Sequence, residues 1–224
     1  MLPGVLPGVL PRTGVAEMLI DLEGMDGAGK SHQAARLQSW FAEVGLTTGA
    51  AHFPVYGSPT GTIITAFLKG LLPLSAQDAQ RWYADNRREM LPRLEQLLRE
   101  KDAVILDRYY PSGWAYGKAQ GLSESWLAAL DAGLPKPDLV FVLDLPVEAT
   151  RARRKKRDVF ETDLNFLNTV RSHYLDLARR HGWFVVNADA PREEVTAGIL
   201  TVVRAALETG AVERHNGNSA EAIG

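Results

Sequence analysis

The chain has 224 residues, 46% of them apolar and 23% charged, which supports one substantial core and fits a single α/β domain. Its 25 basic and 27 acidic residues leave a net charge of −2, which excludes a chain-wide attraction to nucleic acid or to an anionic membrane, so any basic site must be local. Cysteine is absent, which excludes disulfides and thiolate metal sites and fits a reducing, cytoplasmic location.

In chain order, the opening MLPGVLPGVLPRTGV is apolar but interrupted by Pro3, Pro7 and Pro11, lacks a preceding basic region and is shorter than a bilayer span. Neither a signal peptide nor a membrane anchor is expected, and residues 1–17 read as a flexible extension, with Met18 as an alternative start. Short runs rich in Val, Ile and Leu then predict strands over 17–23, 47–52, 103–107, 138–144 and 183–187. Between the first two, Leu37, Trp40, Phe41 and Val44 fall at i, i+3, i+4 and i+7, one apolar stripe on a helix ending at Gly45. Helical period predicts further helices over 61–70, 76–100, 123–132, 162–181 and 192–208. The prolines of GLPKPDL, residues 133–139, end one helix and feed the fourth strand. The expectation is a single domain over 18–208, a parallel sheet of about five strands covered by helices on both faces, followed by a loose polar tail over 209–224.

The strongest chemical signal is Gly24-Met25-Asp26-Gly27-Ala28-Gly29-Lys30-Ser31, which fits G-x-x-x-x-G-K-[ST] between a predicted strand and a predicted helix. Glycines free of side chains let backbone N–H groups point at phosphate oxygens, and the helix N-terminus favours the negative charge. Lys30 is placed to reach the β and γ phosphates and Ser31 to offer its hydroxyl to Mg²⁺. A glycine-rich turn with a surface lysine is the bland alternative, and the flanking strand and helix argue against it. His32 is expected to face the helix exterior.

A second constellation, AVILDRYYPSGWAY over 103–116, ends a buried strand with Asp107 and Arg108 at the carboxyl edge where open α/β sheets bind ligands. An acid there suits Mg²⁺ or its water, and an arginine suits a phosphate; an ion pair capping the strand is the plainer reading.

In these motifs the sequence resembles the thymidylate kinase family, of P-loop NTPase-type α/β fold. The glycine loop with its inner Asp26, D-R-Y-x-x-S-x-x-A-Y at 107–116, LPKPDLVFVLDL at 134–145 and RDVFE at 157–161 match that family in order and spacing. The resemblance spans about Met18 to Val203. It implies transfer of the γ-phosphoryl group of Mg·ATP to dTMP, in a homodimeric enzyme that uses neither nucleic acid nor membrane. Carried over by position, it implies that Tyr83 stacks on the thymine while Arg87 reads its exocyclic oxygen, and that Tyr116 crowds the 2′ carbon of the sugar. Asp26 and Glu161 then lie near the acceptor sugar, and Phe53, Tyr56, Arg108, Ser112 and Gly113 complete the dTMP site. Without the resemblance, Tyr83 and Arg87 read as one face of an amphipathic helix, and Tyr116 as core. One departure is Val55, where many members place an arginine for the acceptor phosphate: either Arg108 carries that phosphate nearly alone or the acceptor differs.

The run RARRKKRD at 151–158 packs six cations into seven positions. On composition it is a solvated charged face. The resemblance implies a lid, near 151–161, that delivers the catalytic cation in members whose loop has Gly27 in place of a basic residue. Arg153, Arg154 and Arg157 are the candidates, and Arg151 or Arg153 could instead lie over the adenine. Two rival functions remain: a kinase for another nucleotide or a deoxynucleoside, and a nucleotide-binding regulator that transfers nothing.

Overall fold

The computed structural model describes residues 18–153, 160 and 163–209. In chain order these form β1 (Met18–Glu23), α1 (Lys30–Glu43), β2 (Thr48–His52), α2 (Pro59–Leu68), α3 (Ala76–Glu89), α4 (Leu91–Glu100) and β3 (Ala103–Asp107). The chain continues with α5 (Tyr110–Ala119), α6 (Glu124–Leu130), β4 (Leu139–Asp144), α7 (Val147–Arg153), α8 (Leu164–His181), β5 (Phe184–Asn187) and α9 (Arg192–Thr209).

The five strands form one parallel sheet in the order β2-β3-β1-β4-β5. Leu22 stands opposite Asp107, so the carboxyl ends of β1 and β3 lie side by side and present the two sequence motifs at one edge. Alternation along β1 divides the core. Met18, Ile20 and Leu22 join Leu37 and Phe41 of α1 and Ile199 and Val203 of α9 on one face. Leu19 faces the other way, with Val104 and Leu106, against Leu94, Leu97 and Leu98 of α4. Further along that face α8 adds Val170, Tyr174 and Leu177 around Val142. Each such side chain contributes roughly 1.5–3 kcal/mol by leaving water.

The expected strands all form, within a residue or so of their predicted bounds. Helix starts follow local caps: the side chains of Ser58, Ser75, Ser123 and Asp163 accept backbone N–H groups at the heads of α2, α3, α6 and α8. The single helix expected over 76–100 is a correction. It breaks at Met90 and restarts as α4 with Pro92 in its first turn, where a missing N–H costs least. Two helices escape the sequence reading, α5 and the seven-residue α7. In α5, Gly113 and Gly117 lower helix propensity but admit neighbours: a Cβ on Gly117 would stand 2.6 Å from Leu127 Cδ2. The expected extension over 1–17 and the tail from 210 lie outside the described residues; Met18, the alternative start, opens β1.

Candidate active site

The loop between β1 and α1 is shaped by its glycines. Gly24 has φ 127°, and a Cβ there would stand 2.5 Å from the carbonyl oxygen of Leu143 on β4, so only glycine fits. Met25 tucks its side chain among Val147 and Leu167, away from the opening. Lys30, at the head of α1, donates to the carbonyls of Gly24 (3.0 Å) and Met25 (3.1 Å) and lies 3.7 Å from Asp26 Oδ1. Burial, and then the nearby Arg108 guanidinium, lower its pKa to about 8. Ser31 donates to Asp107 Oδ2 at 2.5 Å. That places a hydroxyl and a carboxylate together beside the loop, a hard-oxygen pair that fits Mg²⁺ with its remaining positions left to water and phosphate.

Arg108 follows β3 with φ 70°, a left-handed conformation costly for a side chain of this kind. It is held there by its N–H on Leu22 O (3.0 Å) and by its guanidinium, which donates to Asp26 Oδ1 (2.5 Å) and Ser112 Oγ (3.0 Å). Beneath it Glu23, fully buried, accepts from the backbone of Tyr109 (2.9 Å) and Ser112 (3.0 Å) and from the hydroxyls of Ser112 (2.6 Å) and Tyr174 (2.9 Å). One acid at the end of β1 thus clamps the turn after β3 and the middle of α8.

A cavity, partly open to solvent, runs from Arg108 into the protein. Asp26, Phe53, Tyr56, Tyr83, Arg87, Arg108, Ser112, Gly113 and Tyr116 all line it, so every described residue assigned to the acceptor by resemblance is brought to one place. Tyr83 and Arg87 come from α3, and Ser112, Gly113 and Tyr116 from α5. The loop carrying Phe53 and Tyr56 is pinned by Asn86 Oδ1, which accepts from Val55 N at 2.8 Å. Val55 itself packs on the apolar cluster around Leu19 and Tyr109. Phe160 adds a wall, 5.5 Å from the Tyr116 ring, a contact the sequence reading missed. It also missed Asp131, which takes Arg87 Nε (2.9 Å) and Nη2 (2.7 Å) in a buried ion pair and accepts from Trp114 Nε1 (3.0 Å). The partner lies 44 residues away, and no local pattern marks it.

A second, wider opening is lined by Asp26, Gly27, Gly29, Lys30, Ser31, Asp107 and Arg108. A third hollow lies beyond the loop, between Gly27–Gly29, Gln33, Arg153 and the 188–195 segment. His32 borders both openings, where an outward position had been expected. Arg153 donates to Ala188 O (3.1 Å) and Asp189 Oδ1 (3.2 Å), on the far side of the loop from the acceptor cavity. Arg154, Arg157, Glu161 and the side chain of Arg151 lie outside the described residues.

The glycine loop opening a helix, the strand-end acid beside its serine, and an adjoining cavity define the class: a P-loop kinase of small phosphorylated acceptors. The sequence model of the family described as thymidylate kinase matches residues 22–199. A thymidylate kinase of Arabidopsis thaliana is 34% identical over 185 residues, 83% of this chain and 70% of that protein. A probable thymidylate kinase of Thermococcus kodakarensis is 34% identical over 202 residues, 85% of this chain and 98% of that one. The solved structure of the Candida albicans thymidylate kinase superposes with a TM-score of 0.75 at 28% identity, covering 89% of this chain and 95% of that one. The chain belongs to the thymidylate kinase family, and is with it a nucleoside monophosphate kinase.

Proposed function

We propose that the protein transfers the γ-phosphoryl group of Mg·ATP to dTMP, giving ADP and dTDP. The observation that carries this is the wall shared by two openings: Asp26 and Arg108 line both the phosphate-loop opening and the acceptor cavity, so donor and acceptor phosphates meet at one arginine. The backbone of Gly24, Met25, Asp26, Gly27, Ala28, Gly29 and Lys30 cradles the ATP phosphates, and Lys30 exchanges its loop carbonyls for phosphate oxygens. Ser31 and Asp107 would hold Mg²⁺, which would offset negative charge on the transferring phosphate.

An oxygen of the acceptor phosphate attacks the γ phosphorus as the bond to the β–γ bridging oxygen breaks, and ADP leaves with that electron pair. The attacking oxygen is already anionic at neutral pH, so positioning and charge do the catalysis. Arg108 aligns the acceptor phosphate; with Val55 turned into the apolar cluster, it does so without an arginine from that segment. Tyr83 covers the base, Arg87 reads its carbonyl, and Tyr116, with its ring centroid 6.0 Å from the Arg108 guanidinium carbon, disfavours a 2′-hydroxyl. Phe53, Tyr56, Ser112 and Gly113 complete the enclosure, and Glu161 supports Asp26 and the sugar. Arg153 borders the adenine end, which leaves Arg154 and Arg157 as the lid cations that stabilise the transferring group.

The enzyme is further proposed to be a cytoplasmic homodimer; among the described residues no helix is long and apolar enough to cross a membrane. Light scattering and cell fractionation check these two points. The main test is ADP production from Mg·ATP with dTMP, dUMP, dCMP, dGMP, UMP and thymidine as separate acceptors, with Lys30→Ala as control. Preference for dTMP is expected. Preference for another acceptor, or ATP binding without a phosphorylated product, would overturn the reading.

A further inference from the structure

Among the described residues, the buried side-chain atoms without a hydrogen-bond partner are Asp21 Oδ1 and Oδ2, Gln80 Oε1 and the Tyr109 hydroxyl. Of the groups that carry them, Gln80 shares one face of α3 with the two residues assigned to the base. Gln80, Tyr83 and Arg87 fall at i, i+3 and i+7, and all three line the acceptor cavity. Gln80 is 1% exposed, so an unmatched amide oxygen there is costly unless a ligand matches it.

The amide has a defined direction. Its Nε2 donates to Gln120 Oε1 at 3.3 Å, which leaves Oε1 as the group facing Gly113. A Cβ on Gly113 would stand 3.2 Å from Gln80 Oε1, 3.4 Å from Arg87 Nη2 and 3.6 Å from Arg87 Nη1. The bare glycine therefore marks the point where an acceptor and a donor converge. Asp131 occupies Arg87 Nε and Nη2, so the guanidinium is fixed rather than free to turn. A donor next to an acceptor complements a ring carbonyl next to a ring N–H. Among pyrimidines that is the edge of a thymine or uracil; cytosine presents the reverse order, an amino group beside an unprotonated ring nitrogen.

We propose that Gln80 is a specificity-determining residue for the base, its Oε1 accepting the ring N3–H of a thymine-type imide whose adjacent carbonyl is read by Arg87. The inference rests on the dTMP reading and adds to it the residue that rejects a base lacking N3–H. A site built to bond an N–H discriminates strongly against analogues without it.

The test compares wild type with Gln80→Met, which keeps the volume and removes the acceptor, and Gln80→Ala, which also makes room. Each is assayed with dTMP, N3-methyl-dTMP and dCMP, and thermal unfolding verifies that the variants are folded. Expected is a rise of at least tenfold in KM for dTMP with kcat changed by less than about threefold. The preference of wild type for dTMP over N3-methyl-dTMP and dCMP should narrow at least tenfold in Gln80→Ala. A purely structural role would instead weaken dTMP and N3-methyl-dTMP alike. That outcome, or unchanged dTMP kinetics in both variants, overturns the proposal while leaving the dTMP reading intact. A wild-type enzyme that ignores dTMP overturns that reading and this inference with it.

Discussion

Replacing Asp131 by alanine tests how the acceptor cavity is held together. In the folded protein the side chains of Arg87 and Asp131 are 4% and 5% exposed and are joined by two hydrogen bonds, and Asp131 also satisfies the Trp114 indole. Truncation strands a buried guanidinium, a loss of about 3–5 kcal/mol for a closed site. Arg87 also borders the cavity, and water reaching it there pulls the expected value to the lower end, about 3 kcal/mol. For a domain of this size that corresponds to a fall in Tm of roughly 6–12 °C. Asp131→Asn keeps an acceptor for the indole and should lose less. Differential scanning calorimetry measures both, and steady-state kinetics should show KM for dTMP rising more than kcat falls, because Arg87 is no longer aimed. A drop under about 2 °C with unchanged KM would mean that the ion pair neither stabilises the fold nor orients Arg87, and the reasoning would fail.

Lys30→Met should lose at least 100-fold in turnover yet melt higher at pH 7. Because Lys30 has a folded pKa of about 8, below its unfolded value of 10.5, its contribution to stability is present above 10.5 and lost as pH falls through 8; a Met variant no more stable at pH 7 contradicts this. Asp21→Val should stabilise by about 1–3 kcal/mol at neutral pH, since both carboxylate oxygens are buried without partners. Burial first, then Glu23 and Asp107, raise the Asp21 pKa, so wild-type stability should decline as pH rises from about 4 and the variant should decline less; parallel urea-unfolding profiles would refute it. Gly24→Ala should cost at least about 2 kcal/mol and most ATP affinity, since its Cβ meets the Leu143 carbonyl; nucleotide titration and melting at wild-type values would exclude that packing.

The sheet was legible because its strands are buried runs of Val, Ile and Leu and its helices carry clear stripes. The glycine loop and Asp107-Arg108 were legible because each is a local pattern at a strand end. What stayed hidden depends on distant partners or on packing. Helix α5 opens with Tyr110-Pro111 and contains two glycines, so propensity argued against it, and only contact with Gln80, Arg87 and Leu127 explains those glycines. Asp131 carries no signal in its own neighbourhood. Asp21 and Glu23 did offer one: two acids at i and i+2 in an otherwise apolar strand point to the same face, and there Glu23 bonds Tyr109 and Ser112, which line the cavity. The assignment of the acceptor residues themselves rested on family resemblance, and the cavity lined by Tyr83, Arg87, Arg108 and Tyr116 gives them a common location.

The clasp around Glu23 also sets an order of assembly. Its partners lie 86, 89 and 151 residues further along the chain. A polypeptide emerging from the ribosome completes the phosphate loop early, but Tyr174 arrives only when most of the chain has been made. Until α8 docks, Glu23 is a buried acid with part of its clasp missing and Ser112 lacks one of its hydroxyl neighbours. The turn after β3 that carries Arg108 is therefore clamped in full only once α8 has been made. A nascent chain stalled before α8 also lacks the 188–195 segment beside the glycine loop and the α9 side chains that pack on α1, so it is expected to hold neither nucleotide firmly.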